Sequence, residues 1–280
     1  MIFFQSKAKN FLMRQLTLQR LAACFGGLPR VDKWVFIIGC YNSGTTLLAR
    51  LLERHSQVRA MPGEGVAFTD GLLRPEEFGW PRLWYRCQQQ MQVDSNDQLE
   101  LANRIKKQWG YAASGSGPVF LEKSIANATR LEFLNTYFKP AYFIHITRNG
   151  YAVAEGIRRK THPARWQNEQ FGDRYPIACC AEQWKATEEL INAQSAGLER
   201  YHALSYEDLS QSPEQEIKRI IDFLGLATES GLIDREVLVH GERRPISNLN
   251  RQSLDSLSSD EIDEINQVAG ELLARYHYTP

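Results

Sequence analysis

One loop in the N-terminal third of the chain has the spacing of a phosphate-binding motif. Residues 39–46 read G-C-Y-N-S-G-T-T, which fits the pattern G-x-x-x-x-G-K-[ST] except that Thr45 replaces the lysine. Successive backbone N–H groups in such a loop point at an anion, and the dipole of the following helix adds positive potential. The missing lysine normally contacts the β and γ phosphates of a nucleotide. A nucleotide with a single 5′ phosphate group, or a mixed anhydride of one, would not need that lysine, so the loop is predicted to bind such an anion. The alternative is a Gly-Thr-Thr helix start that binds no ligand.

The histidines give no sign of a metal site. The six stand apart in the sequence, with no pair at the spacing of metal ligands and no H-E-x-x-H pattern.

Two apolar runs predict the strands that position this loop and its partners. The first, residues 35–38, leads into the loop, and residues 47–54 after it place leucines on one helical face. The second, residues 141–147, lies between helix-like stretches at 128–138 and 151–160. Buried strands that alternate with helices predict an α/β fold whose central parallel sheet is covered by helices on both faces.

The C-terminal part of the chain continues this alternation. We expect a helix over residues 179–194, a short strand over 202–206, a helix over 213–224 that ends at Gly225, and a final helix over 259–276. No internal repeat or low-complexity segment interrupts the pattern.

Two connections between these elements are rich in aromatic residues. Residues 65–118 contain three tryptophans, and residues 158–176 contain one, with Tyr175 near its end. Because connections at the strand ends of open α/β sheets carry binding residues, we expect rings such as Trp84 and Trp166 to form walls of a substrate cleft. Burial of the same rings beneath the loops is equally compatible with the sequence.

The overall composition is that of an ordinary globular protein. Thirty-three Lys and Arg balance thirty-three Asp and Glu, so the chain lacks the basic excess of a nucleic-acid-binding protein, and 43% of its residues are hydrophobic. Five cysteines without a C-x-x-C pair predict a reducing, cytoplasmic location. No apolar run is long enough to cross a bilayer.

The first thirty residues are predicted to form an N-terminal helical extension ahead of a domain over residues 31–280. This N-terminal extension, residues 1–30, mixes apolar residues such as Phe11 and Leu21 with several cations. Such a helix either docks on the body of the protein or on a partner, or lies peripherally on an anionic membrane surface.

The loop and three later segments, in this order along the chain, resemble the sulfotransferases that use 3′-phosphoadenosine 5′-phosphosulfate (PAPS). Residues 43–46 (S-G-T-T) are similar to their 5′-phosphosulfate loop, and residues 122–124 (E-K-S) to their lysine-bearing strand end. Residues 143–150 resemble the strand and arginine that meet the 3′ phosphate, and residues 206–209 with 223–226 resemble a third landmark. The resemblance implies a single α/β domain with the P-loop, nucleotide-kinase-like sulfotransferase fold.

The resemblance also implies the donor PAPS, the product 3′-phosphoadenosine 5′-phosphate (PAP), no metal, and a set of cofactor-binding residues. This set comprises Tyr41, Asn42, Ser43, Gly44, Thr45, Thr46, Arg148, Tyr206, Ser247 and Arg251. Arg148 is expected to bind the 3′ phosphate with two hydrogen bonds, and a salt bridge with a nearby carboxylate at the end of the sheet is the alternative. Tyr206 faces either the adenosine or a packing corner between strand and helix. The loop bearing Ser247 and Arg251 either covers the phosphates or is a solvated turn.

Three residues are expected to carry the chemistry of transfer. The resemblance places Lys123 near the bridging oxygen of the leaving phosphate, where it stabilises negative charge, and Ser124 assists with a hydrogen bond. Ile125 stands where one branch of the family has a histidine base. Residues 55–64 resemble instead the protein-tyrosine sulfotransferase branch, which makes Glu64 the expected base. A solvated surface glutamate is the alternative.

Two positions depart from the pattern of the family. Asn42 stands where a lysine or arginine commonly precedes Ser-Gly-Thr, so the loop loses a positive charge and Lys123 must carry more of the stabilisation. Gly156 stands where a serine eight residues after the arginine is usual. Arg158 or Arg159 is an alternative source of that contact.

The sequence therefore predicts a sulfotransferase that moves a sulfuryl group from PAPS to a hydroxyl or amine of a small-molecule, glycan or peptide acceptor. The first alternative is a non-catalytic PAP-binding or scaffold protein of the same fold, because Asn42 and Gly156 each remove a group that the family uses. The second is an ATP-dependent small-molecule kinase, which Thr45 in place of the loop lysine disfavours.

Overall fold

A five-stranded parallel sheet organises the computed structural model, which describes residues 11–93, 97–229, 231–233, 236–239 and 242–280. Its strands are β1 (Lys33–Ile38), β2 (Val58–Ala60), β3 (Val119–Lys123), β4 (Ala141–Thr147) and β5 (Tyr201–Ser205). Their spatial order is β2-β3-β1-β4-β5, and every pairing between them is parallel. The predicted α/β class with a central parallel sheet is confirmed.

Helices cover both faces of this sheet. They are α1 (Leu16–Phe25), α2 (Thr45–Leu52), α3 (Gln88–Met91), α4 (Gln98–Ala112), α5 (Leu131–Tyr137), α6 (Gly150–Lys160), α7 (Ile177–Ser195), α8 (Tyr206–Gln211), α9 (Pro213–Leu224), α10 (Asn250–Leu254) and α11 (Ser259–Arg275). A small antiparallel hairpin, β6 (Glu236–Val239) and β7 (Glu242–Pro245), follows α9.

The side chains of β1 alternate between two cores. Trp34, Phe36 and Ile38 belong to a buried cluster that includes residues of α4, α6 and α7. Val35 and Ile37 belong to a second cluster on the other face, with residues of α2 and α9. A strand that is buried on both faces consists of consecutive apolar residues, which is why the sequence identified it.

The register of the sheet brings three chain segments to one edge. Phe36 of β1 pairs with Glu122 of β3 on one side and with Phe143 of β4 on the other. The segments that follow β1, β3 and β4 therefore leave the sheet side by side, with the glycine loop in the middle. In open α/β sheets this edge is where ligands bind.

One predicted helix begins later than expected. The stretch over residues 128–138 starts as a 3-10 segment, Ile125–Arg130, and becomes α-helical only in α5. The hydroxyl of Thr129 donates to the carbonyl of Ala126 at 2.8 Å, and polar side chains that bond to nearby backbone in this way compete with regular helix formation.

The predicted strand over residues 202–206 ends one residue early. The side chain of Ser205 accepts a hydrogen bond from the N–H of Asp208, so Ser205 caps α8 and Tyr206 is the first helical residue. Tyr206 thus lies at a strand-to-helix corner. In contrast, α9 ends at Gly225 as predicted, with that glycine in the left-handed region at φ 59°.

The described part of the N-terminal extension packs on the body of the domain through one face. Gln19 of α1 is buried; its side-chain amide donates to the carbonyl of Ala67, and the amide of Gln108 donates to the carbonyl of Gln19. The opposite face exposes apolar side chains, among them Phe25 at 85%. Within the described ranges, no helix is long and apolar enough to span a membrane. Contact with a membrane surface stays a prediction.

Several rings of the two aromatic connections lie in the core. Trp84 and Trp109 are fully buried, and the indole N–H of Trp109 donates to the carbonyl of Gly65 at 3.0 Å. Tyr175 is buried as well, whereas Trp166 is exposed. The expectation that Trp84 lines a substrate cleft is therefore wrong, because the connection folds inward to bury its largest side chains.

Candidate active site

The glycine loop turns sharply away from β1 at positions that only glycine tolerates. Gly39 has a φ of 148°, and a Cβ atom there would lie 2.3 Å from the carbonyl oxygen of Ile146 in β4. Gly44, at φ 94°, is the N-cap of α2, and its Cβ would lie 2.7 Å from the ring of Tyr206. The two glycines let the loop pass close to β4 and to the start of α8, so backbone N–H groups gather at the N-terminus of α2.

Two polar atoms in this loop are buried without a hydrogen-bond partner among the described residues. They are the hydroxyl oxygen of Ser43, whose residue has no accessible surface, and the side-chain nitrogen of Asn42. Buried polar groups in folded proteins normally have a partner, so these two donors are available to a ligand bound at the loop. The oxygens of a phosphate or sulfate group are such acceptors, and they would also accept from the N–H groups at the start of α2.

The other predicted residues of the loop face different ways. Thr45 is buried in the first turn of α2, and Tyr41 is buried with its ring beneath the guanidinium of Arg82 at 5.6 Å. Thr46 is partly exposed and lines a cleft between α2 and the ends of β2 and β3, together with Arg50, Met61, Pro62, Gly63 and Lys123. The cleft thus connects the loop with the strand end that carries Lys123.

Arg148 follows β4 and reaches back over the loop. Its Nε donates to Oδ1 of Asn250 at 2.8 Å, and one terminal nitrogen donates to the backbone carbonyl of Asn42 at 2.7 Å. Its guanidinium carbon lies 4.3 Å from the ring centre of Tyr206. Burial lowers the pKa of Arg148, and both acceptors are neutral. A buried cation with neutral partners is a suitable anchor for an anion.

The segment around the start of α10 contacts both Tyr206 and Arg148, and the predicted roles of Ser247 and Arg251 toward the donor stay predictions. The hydroxyl of Tyr206 donates to the backbone carbonyl of Ser247 at 2.9 Å, while the side chain of Ser247 is exposed. Arg251 is exposed, with Nε 3.7 Å from Asp255. The side chain that contacts Arg148 is that of Asn250, which was not predicted from the sequence. The Asn-rich composition of this loop was the available signal.

Glu64 and Lys123, the predicted base and electrostatic catalyst, are in contact. Nζ of Lys123 lies 2.9 Å from Oε1 of Glu64, and the two side chains are 13% and 38% exposed, respectively. The pair sits at the carboxyl edge of the sheet beside the cleft that Lys123 lines. An ionised carboxylate at the mouth of a cleft is able to accept a proton from a ligand bound there.

A buried glutamate beneath this pair holds the loop that carries Glu64. Oε1 of Glu122 accepts a hydrogen bond from the backbone N–H of Gly65 at 2.7 Å, and also one from the hydroxyl of Ser124, while Oε2 accepts one from Asn127. The hydroxyl of Ser124 in turn accepts from the N–H of Val66 at 3.2 Å. Burial raises the pKa of Glu122 to about 7.

This arrangement gives Ser124 a defined place. The residue is fully buried, and its hydroxyl bonds both to Glu122 and to the loop after Glu64. Its predicted assistance to the transferred group stays a prediction. Glu122 was missed because a Glu-Lys pair at a strand end has the composition of a solvated surface.

A family model described as the Sulfotransferase family matches residues 35–230, which is more than half of the chain. This chain belongs to the sulfotransferase family. The matched residues contain the glycine loop, the Glu64–Lys123 pair, Arg148 and Tyr206, but not the loop before α10.

Two curated relatives have the same level of identity. The chain is 25% identical over 252 residues to protein-tyrosine sulfotransferase A of Caenorhabditis elegans, and the aligned region covers 87% of this chain and 63% of the relative. It is 25% identical over 218 residues to the nodulation protein NoeE of Sinorhizobium fredii, covering 68% of this chain and 49% of the relative. The chain thus spans less than two thirds of the length of either relative.

Solved structures of sulfotransferases share the fold. The sulfotransferase domain of a Synechococcus olefin synthase matches with a TM-score of 0.53 at 22% identity, covering 90% of this chain and 97% of that domain. Sulfotransferase STF9 of Mycobacterium avium matches with a TM-score of 0.56 at 11% identity, covering 94% of this chain and 80% of that protein. The predicted sulfotransferase fold is confirmed.

Proposed function

We propose that this protein transfers a sulfuryl group from PAPS to a hydroxyl or amine of an acceptor. The observation that carries the proposal is the order of the groups along one sheet edge. The Glu64–Lys123 pair stands at β3, the loop with the unpartnered Ser43 hydroxyl follows β1, and Arg148 follows β4. Neighbouring strands thus carry a candidate base, an anion-binding loop and a second anion-binding cation.

The chain offers two separate anchors for the two ends of the donor. The N–H groups at the start of α2 and the hydroxyl of Ser43 suit the 5′ phosphosulfate, while Arg148 suits the 3′ phosphate. Tyr206 stacks on Arg148 and closes over Gly44, so it fixes the position of one anchor relative to the other. When bound, PAPS supplies the activated sulfuryl group.

In the proposed transfer, Glu64 and Lys123 act on opposite ends of the reacting bonds. Glu64 takes the proton of the acceptor as the acceptor oxygen or nitrogen forms its bond to sulfur. The bond between sulfur and the bridging oxygen breaks, its electron pair stays on the 5′ phosphate, and Lys123 stabilises that negative charge. Since the two side chains form an ion pair here, transfer requires Lys123 to leave Glu64 for the phosphate.

The acceptor is proposed to enter through the cleft beside Lys123. Its lining combines the apolar Met61 and Pro62 with the polar Thr46 and Arg50, which is compatible with a small molecule, a glycan or a peptide. The resemblance around Glu64 and the tyrosine sulfotransferase relative support a phenolic hydroxyl among these. A cytoplasmic location, expected from the five cysteines, which are all free, belongs to this proposal.

The kinase alternative is weakened by the place of Glu122. This is the acidic residue nearest the carboxyl end of β3, and its carboxylate is buried and accepts hydrogen bonds from Gly65, Ser124 and Asn127. With its oxygens occupied, it has little capacity left to hold a magnesium ion for a nucleotide triphosphate.

Calorimetric titration of PAP into the wild-type protein, Arg148→Ala and the surface control Arg219→Ala tests donor binding. We expect Arg148→Ala to lose roughly 1.5–3 kcal/mol of binding free energy, the cost of removing a charged hydrogen bond, and the control to lose none. ATP with magnesium serves as the competing ligand. Binding of ATP without PAP would favour a kinase, and binding of neither would make the loop purely structural.

A second measurement separates an enzyme from a scaffold. Labelled PAPS is incubated with panels of phenols, alcohols, amines, sugars and tyrosine peptides, and sulfated products are counted. Transfer to any acceptor supports the proposed function. Tight PAP binding without transfer to any of these classes would favour the non-catalytic alternative.

A further inference from the structure

A lysine from the far end of α6 reaches the glycine loop. Nζ of Lys160 lies 2.9 Å from Oδ1 of Asn42, although the two residues are 118 positions apart in the sequence. Lys160 is the last residue of α6, the helix that begins just after Arg148. The loop, which lacks a cation of its own at position 42, therefore has one supplied by another element.

The two positions that depart from the family pattern are neighbours in space. A Cβ atom on Gly156 would lie 3.1 Å from Cγ and 3.2 Å from Nδ2 of Asn42. Gly156 thus leaves room for the amide of Asn42, which stands in the left-handed region at φ 62°. Lys160 follows one helical turn after Gly156, so the same helix face that accommodates the amide also presents the ammonium.

The ammonium of Lys160 keeps free donors for a ligand. It carries three N–H groups, of which one is directed at Asn42, while Nδ2 of Asn42 and the hydroxyl of Ser43 are buried and unpartnered among the described residues. Arg82, stacked on Tyr41, and Arg148, bonded to the carbonyl of Asn42, add positive charge around the same loop. This combination of charge and unused donors favours an anion.

We propose that Lys160 binds the 5′ phosphosulfate end of the donor and replaces the positive charge that is absent at Asn42. This inference rests on the proposed function. It assigns Lys160 to the loop, whereas Arg148 remains the anchor of the 3′ phosphate. Asn42 positions Lys160 through its side-chain oxygen.

Two ligands distinguish the two ends of the donor. Lys160→Met is titrated with PAP and with adenosine 5′-phosphosulfate, which has no 3′ phosphate. We expect its affinity for each ligand to fall by the same factor, about tenfold or more relative to the wild type. Arg148→Ala is expected to weaken PAP binding far more than binding of adenosine 5′-phosphosulfate. Loss confined to PAP in Lys160→Met would place Lys160 at the 3′ phosphate and overturn the proposal.

Rescue and control variants guard against an effect of folding. The double variant Lys160→Met with Asn42→Lys is expected to recover most of the lost affinity, because it returns the charge to the loop itself. Lys218→Met on α9 removes a surface lysine paired with Asp222, and we expect it to leave the affinity for both ligands unchanged. Thermal unfolding checks that each variant is folded.

The outcomes also separate this inference from the proposed function. If the wild type and Lys160→Met bind PAP with equal affinity, the role of Lys160 is overturned and the sulfotransferase proposal stands. Absence of PAP binding in the wild type would overturn both.

Discussion

The carboxylate of Glu122 accepts a hydrogen bond from the backbone N–H of Gly65, 57 positions earlier, at 2.7 Å. A Cβ on Gly65 would lie 2.6 Å from the same oxygen, so only glycine permits this contact. Because Gly65 directly follows Glu64, the buried acid at the end of β3 determines where the candidate base stands relative to Lys123. Glu122 is therefore a positioning residue for the proposed reaction.

Glu122→Gln is predicted to alter the pH dependence of stability. The pKa of Glu122 is raised from 4.5 to about 7 by burial, so between these values the folded protein holds a proton that the unfolded chain releases. The free energy of unfolding should therefore decrease as pH rises from about 4.5 through about 7. Glutamine removes this contribution, and urea unfolding of both proteins across that range measures it. Parallel curves for the two proteins would contradict the assignment.

A truncation at the same position separates charge from structure. In Glu122→Gln, rotation of the Asn127 amide allows its oxygen, which has no hydrogen-bond partner among the described residues, to accept from the new amide. Glu122→Ala instead leaves the N–H of Gly65 and the hydroxyl of Ser124 without their partner. We expect the alanine variant to be the less stable of the two, by about 1–3 kcal/mol in urea unfolding. Equal stabilities would show that the network does not hold the loop.

Glu64→Gln is predicted to lose turnover and keep donor binding. The substitution preserves the shape of the side chain but removes the proton acceptor, so the rate of sulfuryl transfer should fall by about 10²–10⁴-fold. PAP affinity should not fall, because Glu64 is not one of the proposed donor anchors and its loss as an ion-pair partner frees Lys123 for the 5′ phosphate. Steady-state kcat with the best acceptor from the panel, together with calorimetry, measures both. Full turnover in Glu64→Gln would require another base.

The parts of the site that follow local sequence patterns were predictable. Residues 35–38 are consecutive apolar residues, and the glycine spacing after them is a local signal of a tight anion-binding loop. The same holds for Arg148 at the end of β4. In each case the residue and its structural cause lie within one strand and the turn that follows it.

The parts that depend on long-range packing were not predictable. Glu122 is adjacent to Lys123 in the sequence and has the appearance of half of a solvated pair, yet β3 buries it against a glycine that lies far away in the chain. Lys160 follows Arg158 and Arg159 at a helix end, where cations are common because they interact favourably with the helix dipole. Only the packing of α6 beside the loop brings its ammonium to Asn42.

The exposed face of the N-terminal extension is predicted to bind anionic membranes. Leu16, Leu21 and Phe25 are exposed at 48%, 47% and 85%, and Arg14 and Arg30 are exposed in the same extension. Co-sedimentation with phosphatidylserine vesicles should fall strongly in a variant with Leu21→Glu and Phe25→Glu, and also at high salt.

A matched substitution serves as the control for this membrane contact. Leu238 is an exposed leucine of the hairpin strand β6, at 40%, and Leu238→Glu should leave vesicle binding unchanged. If the double variant sediments with phosphatidylserine vesicles as well as Leu238→Glu does, the extension does not bind the membrane. If the wild type sediments equally with uncharged phosphatidylcholine vesicles, the extension does not recognise an anionic surface.

PAP affinity is predicted to depend on pH through Lys160. Lys160 is exposed as a residue, but partial burial of its ammonium lowers its pKa to about 8. The nearby cations Arg82, Arg159 and Arg148 act in the same direction, and Glu155 on the same helix opposes them. The side chain is charged below this value and neutral above it, so PAP should bind more weakly as pH rises above about 8, with the fall shifted upward by the bound anion itself.

Lys160→Arg is the variant that isolates this effect. Its guanidinium stays protonated throughout the range, since the pKa of arginine is above about 12, and the 5′ phosphate of PAP is already fully ionised above about pH 7. Calorimetric titrations between about pH 7 and about pH 10 should therefore give a falling affinity for the wild type and a flat profile for Lys160→Arg. The same fall in both proteins would assign the titration to another group and remove the support for Lys160 as the charge of the loop.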